Sequence, residues 1–240
     1  MKTIGLIGGM SWESSAEYYR LINEAVKERL GGLHSAQLLL YSVDFAAIER
    51  LQHAGDWDAA GAILADAARR LERGGADFLI LCTNTMHKVA DAITQSVTIP
   101  FVHIADPTAT AIRAAGVGTI GLLGTRFTME QEFYRGRLAG QYGLRVLVPD
   151  EADRETIHRI IYDELCLGTL REESRAAYRA IMARLVAQGA AGIILGCTEI
   201  TLLMDGTDAT VPLFDTTRLH AEAAAQLALA ETPQTAPSGK

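Results

Sequence analysis

Two short polar segments of this chain carry side chains that can move protons. One is Gly196-Cys197-Thr198-Glu199 and the other is Cys82-Thr83-Asn84-Thr85, and each follows a run of apolar residues. Amide groups at the start of a following helix would stabilise a thiolate at Cys197 and lower its pKa from about 8.5. The same amides suit a substrate carboxylate. The Thr83 hydroxyl can donate a proton, but it is a poor base unless another group activates it.

Each of these side chains also has a purely structural interpretation. Most free cysteines are small buried hydrophobic residues, and Thr83 or Asn84 would serve as a helix N-cap. Cys82 is predicted to be structural, because it precedes Thr83 and neighbours on a strand face opposite sides of the sheet. A position at the end of a strand favours a functional role for Cys197 and Thr83.

The chain repeats itself, and the repeat places Cys197 opposite Thr83. Three segments recur in the same order, and the matched pairs are 3–8 with 119–124, 75–85 with 189–199, and 98–101 with 210–213. Three ordered matches argue against chance and indicate an internal duplication. A duplicated fold with a thiol in one half and a hydroxyl in the other suggests chemistry on two faces of one atom.

The elements that must position these residues alternate between strand and helix. Apolar runs and helical spacing predict strands at 3–7, 36–43, 78–81, 101–104, 119–123, 144–148, 192–195 and 211–214. The predicted helices are 13–30, 57–73, 86–94, 129–139, 153–165, 171–187, a short one after Cys197, and 216–230. This alternation indicates an α/β fold with one parallel sheet in each half.

The duplication predicts two pseudo-symmetric α/β domains. We expect residues 1–105, joined by helix 216–230, to form the first domain and 106–215 the second, with a disordered tail at 231–240. Ligands bind at the carboxyl ends of strands in open parallel sheets, where both polar segments fall. If the two halves face each other, those ends line one interdomain cleft.

Further polar residues stand at the same strand ends. Thr125 and Thr128 flank Arg126, and their hydroxyls suit a carboxylate. Arg126 would bind a side-chain carboxylate or lie on the surface, and both readings stay open. Gln52 and His53 follow a predicted helical turn and would reach the cleft on a mobile loop.

Other candidate sites are weaker. His87 and His103 lack metal-ligand spacing, so core or surface roles are expected and no metal is predicted. Cys166 falls in an amphipathic helix, where packing is the usual role. The stretch Gly5-Leu6-Ile7-Gly8-Gly9-Met10 lacks the full Gly-x-Gly-x-x-Gly pattern, which disfavours nucleotide binding and favours a tight turn.

Composition excludes several classes of protein. Hydrophobic residues make up 49% and charged residues 21% of the 240, an ordinary globular balance. A net charge of −7 argues against nucleic-acid binding. Three cysteines with no Cys-x-x-Cys pair do not predict a disulfide scaffold. The sequence has no secretory signal and no membrane-spanning run, so we expect a soluble cytoplasmic protein.

At these residues the chain resembles the aspartate/glutamate racemase family of cofactor-independent amino-acid racemases. The resemblance covers residues 1 to about 230, and its specific parts are Ile7-Gly8-Gly9-Met10, Asn84-Thr85-Met86-His87 and Gly196-Cys197-Thr198-Glu199. The stretches 8–14 and 82–87 are similar to the enterobacterial branch, which includes broad-specificity and L-aspartate/glutamate racemases. The resemblance implies two pseudo-symmetric domains, a homodimer and a site in the cleft.

The resemblance also implies a mechanism without a cofactor. Family members carry one cysteine in each domain, on either side of the substrate α-carbon. Here Cys197 is kept and would act as base on the L-enantiomer, while Thr83 replaces the other cysteine as proton donor to the opposite face. Cys166 replaces a family lysine. The implied substrate-binding residues are Met10, Gln52, Asn84, Thr85, Thr125, Thr128, Cys166, Thr198 and Glu199, with the backbone of Glu199 contributing.

Two other functions stay open from the sequence. A decarboxylase or isomerase of the same fold would keep only the second-domain cysteine as proton donor, although the polar Thr83-Asn84-Thr85 loop argues against a large aryl pocket. A noncatalytic amino-acid binding module would bind its ligand without exchanging the α-proton. An aspartate or glutamate racemase is the leading hypothesis.

Overall fold

The computed structural model describes residues 1–230 and shows an α/β fold with two parallel sheets. The predicted tail at 231–240 lies outside the described residues. The strands are β1 (Ile4–Gly8), β2 (Leu38–Ser42), β3 (Phe78–Leu81), β4 (Phe101–Val102), β5 (Thr119–Gly124), β6 (Arg145–Leu147), β7 (Ile193–Gly196) and β8 (Leu213–Asp215). Each sheet has four strands, in the orders β2-β1-β3-β4 and β6-β5-β7-β8.

Eleven α-helices connect and cover the sheets within residues 1–230. They are α1 (Trp12–Leu30), α2 (Phe45–Ala54), α3 (Trp57–Arg73), α4 (Ala90–Thr94), α5 (Ala105–Ala114), α6 (Arg126–Glu130), α7 (Glu132–Tyr142), α8 (Glu151–Asp163), α9 (Glu172–Ala187), α10 (Ile200–Leu203) and α11 (Thr216–Leu229). Two 3₁₀ turns, Thr85–Val89 and Leu165–Leu167, precede α4 and α9.

The identical strand order of the two sheets confirms the predicted duplication. The three repeated segments form β1 with β5, β3 with β7, and β4 with β8. Each sheet is parallel throughout, and β1, β3 and β7 are buried along their whole length. Because such strands contact helices on both faces, their sequences are continuous apolar runs rather than alternating ones.

The turn after β1 depends on glycine. Gly9 has a φ of 94°, which side chains other than hydrogen rarely tolerate, and a Cβ there would collide with the backbone of Val43. Its N–H donates to the Ser15 hydroxyl at 2.7 Å. This internal partner leaves that amide unavailable to a phosphate, which agrees with the missing nucleotide-binding pattern.

Several predicted element boundaries are wrong. The helices α2 and α5 were not predicted, and β4 stops at Val102 because His103 already accepts from the N–H of Ala105 at the start of α5. The predicted helix 129–139 is two helices separated at Gln131, whose backbone is extended. The helix predicted over 153–165 ends at Asp163. The ends and interruptions of these elements depend on local hydrogen bonds, which the spacing of apolar residues does not predict.

The C-terminal helix α11 packs on the first half of the chain. Its small residues Ala221, Ala224, Ala225 and Ala228 are fully buried in one cluster with Tyr18 and Ile22 of α1. Small side chains at this spacing let two helices approach closely. No helix within residues 1–230 combines the length and apolar character needed to cross a membrane.

Candidate active site

A cleft between the two halves brings Cys197 and Thr83 together. It has an empty volume of about 450 Å³ and lies at the carboxyl ends of β1, β3, β5 and β7. Its lining includes most of the predicted binding residues: Met10, Gln52, Asn84, Thr85, Thr125, Cys166, Thr198 and Glu199. Thr128 is fully buried behind Thr125, so it can influence a ligand only through that residue.

The Cys197 thiol is hydrogen-bonded to a carboxylate. Its S–H donates to Oε2 of Glu199 at 2.9 Å. The other carboxylate oxygen, Oε1, accepts from the hydroxyls of Ser11 at 2.9 Å and Ser14 at 3.2 Å, both at the start of α1. The sequence suggested only the Glu199 backbone, whereas the structure directs its side chain at the thiol.

The pKa of Cys197 moves in the direction opposite to the prediction. Removal from bulk water raises it well above its usual range, and the negative charge of Glu199 raises it further. The helix that follows, α10, has only four residues and cannot offset these effects. Both effects favour the protonated thiol, and Glu199 Oε2 is already in contact with it as a proton acceptor.

The first half carries a related arrangement without a carboxylate. Thr85 stands two residues after Thr83, as Glu199 stands two residues after Cys197. The Thr85 hydroxyl contacts that of Thr125 at 3.0 Å, just as Glu199 contacts serines of the opposite half. The two halves therefore contact each other in the same way, but of the described residues in these two segments only Glu199 carries a carboxylate.

Two amide side chains that line the cleft, those of Asn84 and Gln52, have hydrogen-bond partners only on their nitrogen atoms. The single hydroxyl proton of Thr216 is donated to Leu195 O at 3.0 Å, so Thr216 Oγ1 must accept from Asn84 Nδ2 at 3.1 Å. Gln52 Nε2 donates to Met86 Sδ, which carries no proton. Each NH₂ group makes one of these hydrogen bonds, and Asn84 Oδ1 and Gln52 Oε1 are buried without a partner.

The start of α11 connects the loop that contains Thr83 to the loop that contains Cys197. Thr216 bonds Asn84 of the first half, and the neighbouring Thr217 hydroxyl contacts Thr198 of the second at 3.1 Å. Asp215 caps the helix by accepting from the N–H groups of Thr217 and Arg218. One helix terminus therefore sets the spacing between the Thr83 and Cys197 loops.

Some predicted candidates lie elsewhere or in other elements. Gln52 belongs to α2 rather than to a mobile loop, while His53 is largely exposed beside Glu49. Arg126 lies at the surface, paired with Glu130 at 3.3 Å and Glu155 at 3.2 Å. Of the two interpretations of Arg126, a carboxylate-binding residue or a surface residue, the structure supports the second.

The other two cysteines differ in their surroundings. Cys82 is fully buried in the core, which confirms its structural reading. Cys166 lies in the 3₁₀ turn Leu165–Leu167 and not in a long amphipathic helix. It lines the cleft, and burial raises its pKa to about 12.

Some cleft residues were not anticipated. Ser11, Ser14, Phe45, Ile161 and Tyr162 also line it. The serines had a usable signal, because Ser11 and Ser14 begin a helix directly after a strand, where hydroxyls commonly cap. The apolar residues Phe45, Ile161 and Tyr162 had no such signal, because in the sequence they cannot be distinguished from residues of the hydrophobic core.

Three histidines form a buried cluster that supports the Thr83 loop. His87 Nδ1–H donates to Thr83 O at 2.8 Å, and its Nε2 accepts from Ile104 N–H at 3.1 Å. The rings of His103 and His220 lie 4.4 Å and 6.0 Å from that of His87, between centroids. His87 and His103 are thus core residues. In the described part of the chain, no group of three or more His, Cys, Asp or Glu side chains is placed to hold a metal ion.

This cluster predicts a stability loss in acid. Burial lowers the pKa of all three rings, to about 3 for His103 and about 4 for His220. The unfolded chain then binds more protons than the folded one below about pH 6.5, so stability falls as the pH drops. Three such sites lower the free energy of unfolding by about 4 kcal/mol between pH 7.5 and 5.5.

Urea unfolding at the two pH values measures this loss. His103→Asn is the matched control, because an amide oxygen can still accept from the Ala105 N–H but does not titrate. We expect the variant to lose about one third less stability over the same interval. A wild-type stability that is flat across this range would contradict a neutral buried cluster.

Comparisons with known proteins agree with this architecture. A family model described as Asp/Glu/Hydantoin racemase matches residues 7–224. The crystal structure of a candidate Asp/Glu racemase from Yersinia pestis is 59% identical, with a TM-score of 0.91, covering 96% of this chain and 100% of that one. An aspartate racemase homologue from Pyrococcus horikoshii is 36% identical, with a TM-score of 0.83, covering 95% and 99%.

A characterised relative points to the same class. The broad-specificity amino-acid racemase RacX of Bacillus subtilis is 23% identical over 95% of this chain and 98% of its own length. The family match spans both sheets and both polar segments that line the cleft. The chain therefore belongs to the Asp/Glu/Hydantoin racemase family and is an isomerase of that family.

Proposed function

We propose that this protein racemises α-amino acids by removing the α-proton at Cys197 and returning one to the opposite face at Thr83. The observation that carries the proposal is the cleft that holds both side chains, with Cys197 bonded to Glu199. Aspartate and glutamate are the substrates that the resemblance implies. The same resemblance implies a homodimer, which sedimentation would test, and the cytoplasmic location expected from the sequence would be tested by fractionation.

The first step needs a thiolate, and Glu199 provides the means to form it. The thiol proton passes to Glu199 Oε2, 2.9 Å away, and leaves a thiolate that takes the substrate α-proton. The electron pair of the C–H bond stays on the α-carbon as a carbanion. Ser11 and Ser14 hold the carboxylate in place during the transfer.

The second step delivers a proton to the other face of that carbanion. The Thr83 hydroxyl is the donor on that side, and its oxygen must regain a proton from solvent because Thr85 offers no carboxylate. His87 supports this loop through the Thr83 carbonyl. The α-carboxylate is held by loop amides and by the hydroxyls of Thr85 and Thr125.

Thermodynamics constrains what a true racemase can do here. Enantiomers have equal free energies, so kcat/KM is the same in both directions, although the separate kcat values need not be equal. If the Thr83 hydroxyl transfers protons less readily than the Cys197 thiol, inversion is therefore slower from the L- and from the D-enantiomer alike. If Thr83 did not act, Cys197 would exchange the α-proton of one enantiomer and return it to the same face.

Deuterium incorporation from heavy water with chiral analysis of the same samples tests the proposal. We expect exchange at the α-carbon accompanied by inversion, for one or more amino acids in a panel that includes L- and D-alanine, aspartate and glutamate. Absence of exchange with every amino acid would overturn the proposal. Cys197-dependent decarboxylation, or ligand binding without exchange, would then be the functions to pursue.

Substitutions of Thr83 separate exchange from inversion. Thr83→Val keeps the shape but removes the hydroxyl, and we expect inversion to fall at least about a hundredfold while exchange of one enantiomer persists. Thr83→Cys supplies a better acid and base and should raise inversion above the wild-type rate. Equal inversion in the wild type and in folded Thr83→Val would remove Thr83 from the mechanism.

A further inference from the structure

A second cavity lies between the two halves of the chain and is lined by residues other than those of the cleft. Its empty volume is about 730 Å³, which is larger than that of the cleft and in the range of small-ligand sites. Its lining includes Lys88, Asp91, Phe101 and His103 from the first half and Phe133 and Arg137 from α7 of the second. The described residues that line the cleft include none of these six.

His103 brings an unused hydrogen-bond donor to this cavity. The residue is only 7% exposed, and its Nδ1 accepts from the Ala105 N–H at 3.1 Å. The neutral ring, which its low pKa favours, therefore carries its proton on Nε2. This N–H has no hydrogen-bond partner within residues 1–230, and Nε2 is not fully enclosed by protein atoms, so it opens into the cavity that the ring lines.

Arg137 adds further donors beside His103. Its Nε and Nη2 donate to the two carboxylate oxygens of Asp106 at 2.6 Å and 2.8 Å. This bidentate pair fixes the plane of the guanidinium but uses only two of its five N–H groups. The positive charge of Arg137 helps to lower the pKa of His103, which agrees with their common position in the cavity wall.

Cations outnumber anions in the lining of this cavity. Lys88 and Arg137 are both positively charged, whereas Asp91 is the one carboxylate among the described lining residues. Asp91 is exposed, so water screens its charge. The Lys88 ammonium lies 3.8 Å from the centroid of the Trp57 ring and has no ion-pair partner in the described part of the chain. Donors without acceptors and an excess of positive charge favour an anion.

We infer that this cavity is a second ligand site, which binds a small organic anion, a carboxylate or a phosphate, through His103 Nε2–H and the unpaired N–H groups of Arg137. Lys88 contributes a positive charge to the same site. Binding there is independent of the racemase function, because none of these three residues lines the cleft.

The remaining walls suit the body of such a ligand. Phe101 and Phe133 offer one aromatic side chain from each half, so an apolar or planar group can pack between the halves. His87 also lines the cavity, and its two ring nitrogens are already bonded to the backbone, so it offers only its ring surface. A bound anion would therefore contact the residue that supports the Thr83 loop.

Benzoate, phenyl phosphate and benzamide test the site, because they share one ring and differ in charge. Calorimetric titration measures the affinity of the wild-type protein for each compound. We expect one or both anions to bind at least about tenfold more tightly than the uncharged benzamide, because charge-assisted hydrogen bonds are the stronger ones. The tighter anion shows whether a carboxylate or a phosphate is preferred. Absence of anion binding, or affinities no better than that of benzamide, would overturn the inference.

A variant locates the binding at Arg137. Arg137→Lys keeps a positive charge beside Asp106 but cannot present the planar set of N–H groups, so the affinity for the tighter anion should fall at least about tenfold. Arg29→Lys makes the same change at an exposed position of α1, and its affinity should equal that of the wild type. An unchanged affinity in folded Arg137→Lys would place the binding elsewhere and overturn the site.

Lys88→Gln gives a second test that spares the ion pair of Arg137. Lys88 has no ion pair to lose within the described residues, so we expect the variant to fold and its anion affinity to fall about threefold. Lys27→Gln, at an exposed position of α1, is the matched control and should bind as the wild type does. Equal affinities of Lys88→Gln and Lys27→Gln at low salt would contradict a cationic cavity. These titrations need no turnover, so they give an answer even if no amino acid is racemised.

Discussion

Cys197→Ala is expected to lower the rate of α-deuterium incorporation at least about a thousandfold. The variant removes the atom that accepts the α-proton in the proposed mechanism, and Glu199 is the one carboxylate among the described residues that line the cleft. Glu199 would remain in place through Ser11 and Ser14. Carboxylates in general are weaker bases than thiolates, so we do not expect efficient substitution.

Two controls make this result interpretable. The free energy of unfolding shows whether the variant is folded, and calorimetric binding of the amino acid shows whether the cleft is intact. Cys197→Ser, which keeps the shape but offers a far less acidic hydroxyl, should be as impaired as the alanine variant. Near-normal exchange in either folded variant would exclude Cys197 as the base.

Glu199→Gln is expected to lower exchange about a hundredfold at neutral pH. The amide cannot take the thiol proton, so a thiolate must form by losing that proton to solvent. Because the negative charge of Glu199 helps to raise the pKa of Cys197, its removal moves that pKa downward, although burial still keeps it high. Activity in the variant should therefore recover as the pH rises.

Glu199→Gln is expected to lower both the pKa of Cys197 and the rate of exchange at neutral pH, and this combination identifies Glu199 as the proton acceptor. Rates of thiol alkylation against pH report the Cys197 pKa, and exchange against pH reports catalysis. If Glu199 had only a structural role, its substitution would not lower the pKa of Cys197 and also reduce exchange at neutral pH. Ser14→Ala, which removes one hydroxyl donor but keeps the carboxylate, should cost no more than about tenfold. Full activity of Glu199→Gln at neutral pH would exclude it as the proton acceptor.

The architecture and the placement of Cys197 and Thr83 in one cleft could be predicted from the sequence. Apolar runs such as Phe78–Leu81 and Ile193–Gly196 are strands because parallel sheets bury both faces. The repeated segments aligned Cys197 with Thr83, and parallel topology sends both to strand ends. These inferences succeed because a strand buried on both faces is a continuous apolar run, and the residues that follow such a run lie at the carboxyl end of the strand.

The chemical state of the site was decided only by tertiary structure. The sequence predicted a lowered Cys197 pKa from its local helix, whereas desolvation and Glu199 raise it. The orientation of the Asn84 amide follows from Thr216, a residue 132 positions away. The protonation of the Cys197 thiol and the direction of the Asn84 hydrogen bond depend on groups that are distant in sequence but adjacent in the folded interior. Local residue patterns do not show which distant groups become neighbours.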